Sequence, residues 1–100
     1  MATTTKALAR TAAATSSTTL YTVPASTTTV VSNIAVTNTA ASAGTFTLTL
    51  NGVALHTTTA VAANSTVYID LRQVLTATQI IAGLASATTI NFHISGVEIS

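Results

Sequence analysis

The chain has no cysteine among its 100 residues. That excludes a disulfide framework and a thiolate metal centre, so whatever stability the fold has must come from packing and backbone pairing. Tryptophan is absent too, and only Tyr21, Phe46, Tyr68 and Phe92 are aromatic. The glycines, Gly44, Gly52, Gly83 and Gly96, stand alone, so there is no glycine-rich loop to cradle a phosphate. Charge is the scarcest property. Lys6, Arg10, Asp70, Arg72 and Glu98 make up 5% of the chain, where an ordinary soluble domain carries about 25%. Lys6 and Arg10 are too few for a nucleic-acid footprint. Apolar runs are broken by Thr or Asn well short of the ~20 residues of a membrane span, so no membrane association is expected. Lys6 and Arg10 do precede the small residues Ala12-Ala13-Ala14, as in a secretory leader, but the apolar stretch between them is missing.

Thr, Ser and Ala take the place of charge. Threonine is β-branched and favours strands, while its hydroxyl keeps an outer face wet. A surface with so little charge of either sign gives weak protection against association. Covering of that surface by copies of the chain or by a host assembly is the expectation.

The strongest local signal lies at mid-chain. Phe46, Leu48 and Leu50 alternate with Thr45, Thr47 and Thr49, and Asn51-Gly52 follows at once. Alternation is the period of a half-buried strand, and Asn-Gly suits a two-residue type I′ turn. The pattern predicts a hairpin over 43–56, with Val53 and Leu55 returning to the buried side. Residues 18–23 form a strand with Tyr21 and Val23 on one face, closed by Pro24. Residues 30–39 form the next, with Val30, Ile34 and Val36 together. Residues 57–65 read as a linker. Thr66–Leu71 alternates with Val67, Ile69 and Leu71 inward and Asp70 and Arg72 outward. In the ambiguous stretch 72–85 the reading is a helical turn near Arg72–Leu75 and then a strand over Gln79–Leu84. The last strand places Ile90, Phe92 and Ile94 inward, has a bend or bulge at Gly96, and continues through Val97 and Ile99.

The fold class is therefore all-β: an antiparallel β-sandwich, jelly-roll or Ig-like, of seven to eight short strands. It occupies residues 18–100. Residues 1–17, with Leu8 as the one large apolar anchor, read as an extended or flexible N-terminal arm, either disordered or ordered on a neighbouring subunit.

Chemistry is sparse. His56 and His93 fall on strands, opposite the apolar faces, and a metal would need a third ligand from Asp70 or Glu98. No Gly-x-Ser-x-Gly elbow is present, and the same two carboxylates are the only acid–base candidates. No catalytic site, cofactor or metal is expected. Tyr68, on an outer face, is the one candidate platform for a sugar ring.

Two segments carry a resemblance. Thr19-Leu20-Tyr21-Thr22-Val23-Pro24-Ala25, followed by Val30-Val31-Ser32-Asn33-Ile34-Ala35-Val36-Thr37-Asn38, resembles the opening of a family of small bacteriophage virion proteins. Its pattern is Leu-Tyr-Thr-Val-Pro-Ala, a Thr-rich turn, and an "Ile/Val-x-Val-x-Asn" strand. Asn91-Phe92-His93-Ile94-Ser95-Gly96-Val97-Glu98-Ile99 is similar to the family's "Phe-x-x-Ser-Gly-Val-Glu" ending. The similarity covers roughly residues 17–100. Where relatives have a Gly-Asp turn, this chain has Ala77-Thr78-Gln79. The resemblance implies a structural protein of the particle, on the virion's outer surface and made in the host cytoplasm. Its first reading is a head decoration or cement protein. A tail or head-fibre component, or a glycan- or receptor-binding module, is the alternative. The expected partners are the chain itself, as a trimer or other homo-oligomer, and the major capsid protein or other virion proteins. Candidate interface residues are Lys6, Leu8, Arg10, Leu20, Tyr21, Val23, Tyr68, Arg72, Val97 and Ile99, with 20–23 and 97–99 as the strands expected to pair between subunits.

Overall fold

The structure, a computed structural model, describes residues 2–100. Eight strands run through it: β1 (Thr3–Ala12), β2 (Thr18–Thr22), β3 (Thr28–Asn38), β4 (Gly44–Leu50), β5 (Val53–Val61), β6 (Thr66–Leu75), β7 (Ile80–Ala85) and β8 (Ile90–Ile99). They form two four-stranded antiparallel sheets. Sheet A has the order β1-β8-β3-β6 and sheet B the order β2-β7-β4-β5.

The pairs β1–β8, β2–β7, β3–β6 and β4–β5 nest about one point. That point is Asn51-Gly52, whose φ angles of 51° and 78° are the left-handed pair of a type I′ turn. The molecule is one long hairpin with its tip at mid-chain, folded over so that successive strand pairs fall on alternate layers. This is the jelly-roll order, and it decides between the two sandwich types expected.

The core is the space between the layers. Sheet B contributes Phe46, Leu48 and Ile81, and sheet A contributes Ile34, Val36, Ile90, Phe92 and Ile94, all at most 1% exposed. Phe46 and Phe92 meet edge to face across the layers, centroids 6.2 Å apart. The Phe46-Leu48 face of β4 with its Asn51-Gly52 turn, the core faces of β6 and the strand at 79–84 agree with the sequence pattern.

Five expectations are corrected. The stretch 1–17, read as an arm outside the sandwich, supplies β1, an edge strand of sheet A in register with β8 from Thr3↔Ile99 to Ala12↔Asn91. Leu8 and Ala13 turn into the core, at 8% and 3% exposure; Met1 lies outside the described residues. A β-bulge at Leu8 breaks the alternation, which hid the strand among its Thr and Ala neighbours. The linker at 57–65 is in large part β5, and its irregular pattern comes from register shifts either side of Leu48. There Thr58 takes a φ of 48° and its N–H donates to the Thr47 hydroxyl at 3.0 Å. The helical turn at 72–75 is absent: β6 continues to Leu75, with Gln73 opposite Val31 and Val74 opposite Val30. Strand β3 bulges at Ser32, so Val31 is buried while Val30 faces outward with Val97 and Val74. Finally, β8 itself does not bend at Gly96. It alternates straight through, with Gly96 and Glu98 inward and Val97 and Ile99 outward, because its partners β1 and β3 bulge instead. Gly96 serves close approach: a Cβ there would strike the carbonyl oxygen of Val30 and lie 3.0 Å from Leu8 Cδ1.

Candidate interaction surface

The polar side chains sort into ties inside the subunit and groups that face out. The main tie crosses the two sheets. Tyr21, on β2, is buried, and its hydroxyl donates to the Glu98 carboxylate on β8. With its one proton engaged there, the Tyr21 oxygen accepts from the Thr29 hydroxyl at 2.9 Å. Lys6 on β1 approaches Glu98 at 3.4 Å. Burial, and then the hydrogen bond to Glu98, push the Tyr21 hydroxyl above its ordinary value. The hydrogen bond from Tyr21, aided by Lys6, holds the Glu98 carboxyl below the usual carboxylate range. A second tie is Asn38, 1% exposed, at the end of β3. Its amide nitrogen donates to the carbonyls of Ser42 (2.9 Å) and Val61 (3.3 Å), and its oxygen accepts from the Ala40 N–H (3.0 Å). Among the described residues no buried side-chain polar atom lacks a partner.

The histidines do not meet. His56 sits on β5 in register with Leu48, on the core side of sheet B, its ring 5.5 Å from that of Phe46 and its Nδ1 3.2 Å from the Thr59 hydroxyl. The sequence reading put it on the outer face; the bulge at Leu55 turns it inward. Val53, expected inside, pairs with Leu50 but sits next to the hairpin turn and is 70% exposed. His93 faces outward from sheet A. Among the described residues no three His, Cys, Asp or Glu side chains cluster as metal ligands.

Of the ten candidate interface residues, Leu8, Tyr21 and Val23 belong to the core, at 8%, 9% and 1% exposure. Lys6 is tied to Glu98, and Leu20 packs partly against the core. Strand β2 is an edge, as an inter-subunit strand must be. Val97 and Ile99 cannot pair with another subunit, because β8 is an inner strand with β1 and β3 on either side. Arg10, Tyr68 and Arg72 are exposed, and all three lie on the edges of sheet A, on β1 and β6. A cleft of about 270 Å³ runs between the edge strands β1 and β2, lined by Ala9, Arg10, Ala12, Thr18, Thr19 and Leu20 among others.

One arrangement was not read from the sequence. All five charged residues lie on sheet A: Lys6 and Arg10 on β1, Asp70 and Arg72 on β6, Glu98 on β8. The outer face of sheet B is uncharged. Its central row is Thr19–Ala82–Thr49–Ala54, flanked by Thr47 beside Leu84 and Thr22 beside Ile80. No protein-family model, curated protein or solved structure matches this chain. Among the described residues no helix is long and apolar enough to cross a membrane.

Proposed function

We propose that this chain is a structural protein of a bacteriophage virion that decorates the head shell, seated on it through the outer face of sheet B. The observation that carries the reading is the partition of charge. Every charged side chain is on one sheet, and the other presents Thr, Ala, Ile and Leu with no ionic group to desolvate. Covering such a face against protein avoids the cost of burying unpaired charge. The resemblance of 19–38 and 91–99 to small virion proteins supports the reading, and the jelly roll is an architecture that viral capsid domains use. The mechanism is burial of a neutral surface, repeated over many copies, so that each contact is weak and the tethered set is not.

The test is binding of purified protein to phage heads that lack it, by co-sedimentation, with copy number from quantitative gels. Thr49→Lys, on the central row of sheet B, is expected to weaken binding by at least about tenfold without changing the melting temperature. Ser16→Lys, in the β1–β2 loop, leaves binding unchanged. Occupancy by hundreds of copies supports decoration. Retention of binding by Thr49→Lys overturns the sheet B assignment, and a few copies at one vertex moves the protein to the tail or a fibre.

A further inference from the structure

We propose that the outer face of sheet A is a self-complementary interface, through which two copies of this chain pack face to face about a two-fold axis running along the strands. Four registers define the face. Across β1-β8-β3-β6 the rows read Ala12–Asn91–Thr37–Thr66, Arg10–His93–Ala35–Tyr68, Ala7–Ser95–Asn33–Asp70 and Thr5–Val97–Val30–Val74. Tyr68 and Val74 are 74% and 62% exposed, two of the three large apolar side chains so exposed among the described residues.

Rotation about that axis reverses each row and lays it on itself, β1 over β6 and β8 over β3. The second row then sets Arg10 over the ring of Tyr68, where a guanidinium is held by the face of an aromatic. Asp70 lies two residues farther along β6, about 7 Å away, within reach of the same guanidinium. His93, a large side chain, falls on Ala35, the smallest of its row. In the third row Ser95 meets Asn33. In the fourth, Val97 meets Val30 and Val74 meets Thr5. Each contact occurs twice by symmetry, as an isologous interface requires. Arg72 falls opposite the uncharged stretch Thr5–Ala7, and Lys6 points inward to Glu98.

The occupant is a second copy and not another partner because of how the charges lie. The face carries a cation at its β1 edge and, at its β6 edge, an anion next to a cation. A uniformly acidic or basic partner would be repelled by part of it, whereas the reversed face matches it. The size also fits. Four strands about 4.8 Å apart and ten residues rising about 3.3 Å each cover ~600 Å² per copy, at the lower end of specific interfaces. The dimer would leave the two sheet B faces outward on opposite sides. It stands independently of the decoration reading.

The experiment is sedimentation equilibrium on the isolated protein, from micromolar to millimolar concentration, with no particles present. A reversible dimer is expected. Arg10→Glu weakens it by about tenfold or more, and Asp70→Arg added to Arg10→Glu restores most of the loss. Ala35→Arg, which fills the notch that takes His93, abolishes it. These side chains point outward, and an unchanged far-UV spectrum and melting temperature confirm folding. A monomer at every concentration overturns the proposal, as does a dimer indifferent to Arg10→Glu and Ala35→Arg.

Discussion

Strands β1, β8 and β6 of sheet A each carry at least one charged residue; none of the four strands of sheet B does. Facing inward, the two sheets are alike: Phe46 and Leu48 on one and Phe92 and Ile94 on the other are buried to the same degree. Facing outward, they have diverged. The edges show the same contrast. Sheet A guards its long edge strands with Arg10 on one side and Asp70 and Arg72 on the other. Sheet B relies on a β2 of five residues and on the register shifts of β5. Both are recognised ways of keeping an edge from pairing with a stray chain. The difference teaches that low charge here is partitioned, not spread evenly. A sandwich needs only its inner faces to fold, so its two outer faces can be assigned to different neighbours.

The largest effect expected of a single substitution tests the shared part. Phe46→Ala and Phe92→Ala remove the two sides of one edge-to-face contact, and each should cost about 3–5 kcal/mol in chemical denaturation. Costs that differ widely between the two would show that the sheets do not share the core equally.

Smaller effects separate the sheets by their glycines. On sheet A, Gly96→Ala drives a methyl group into the Val30 backbone, which cannot move without disturbing the β3 bulge. On sheet B, a Cβ at Gly83 first meets the end of the Leu48 side chain at 2.9 Å and of Leu20 at 3.1 Å. Gly96→Ala should cost about 3 kcal/mol and Gly83→Ala about 1 kcal/mol, since overpacking is costly in proportion to how little can yield. Equal losses in urea midpoints would remove the distinction.

The smallest effect concerns the tie between the layers. Glu98 has its folded value lowered, so its contribution is present above the ordinary carboxylate value and is lost as pH falls from there through the lower folded one. Tyr21 has its value raised. Its contribution is full below about pH 10 and is lost as pH rises through the folded value. Tyr21→Phe should cost about 1 kcal/mol at neutral pH and flatten both limbs of the stability–pH curve. An unchanged profile would show that the hydroxyl contributes no linkage.

Much of the sandwich is legible in the sequence because alternation survives wherever a strand is regular. Phe46-Leu48, Val67-Ile69-Leu71 and Ile90-Phe92-Ile94 all lie where the period puts them. The sequence misleads at bulges, because one inserted residue exchanges the two faces. Ser32 moves Val30 outside and Val31 inside, and Leu55 brings His56 in. Strand β1 is hidden for a related reason, since only Leu8 marks its inner side and Leu8 itself sits at the bulge. Of the candidate surface, Arg10, Tyr68 and Arg72 were legible as exposed groups. Their gathering onto one sheet was not, because it depends on β1 pairing with β8 and β6 with β3, strands far apart in the chain.

The outermost rung of sheet A joins Ala2 to Ser100 by two backbone hydrogen bonds, 2.7 and 2.8 Å long. The polypeptide is thus nearly a closed loop in space. A short linker could join the two ends, and the ring could be opened at Asn51-Gly52, where nothing lies within 4 Å of the Gly52 Cβ position. Every ladder would survive such a circular permutation. New termini would then emerge at the hairpin tip, at a site where a peptide could be displayed without interrupting either sheet.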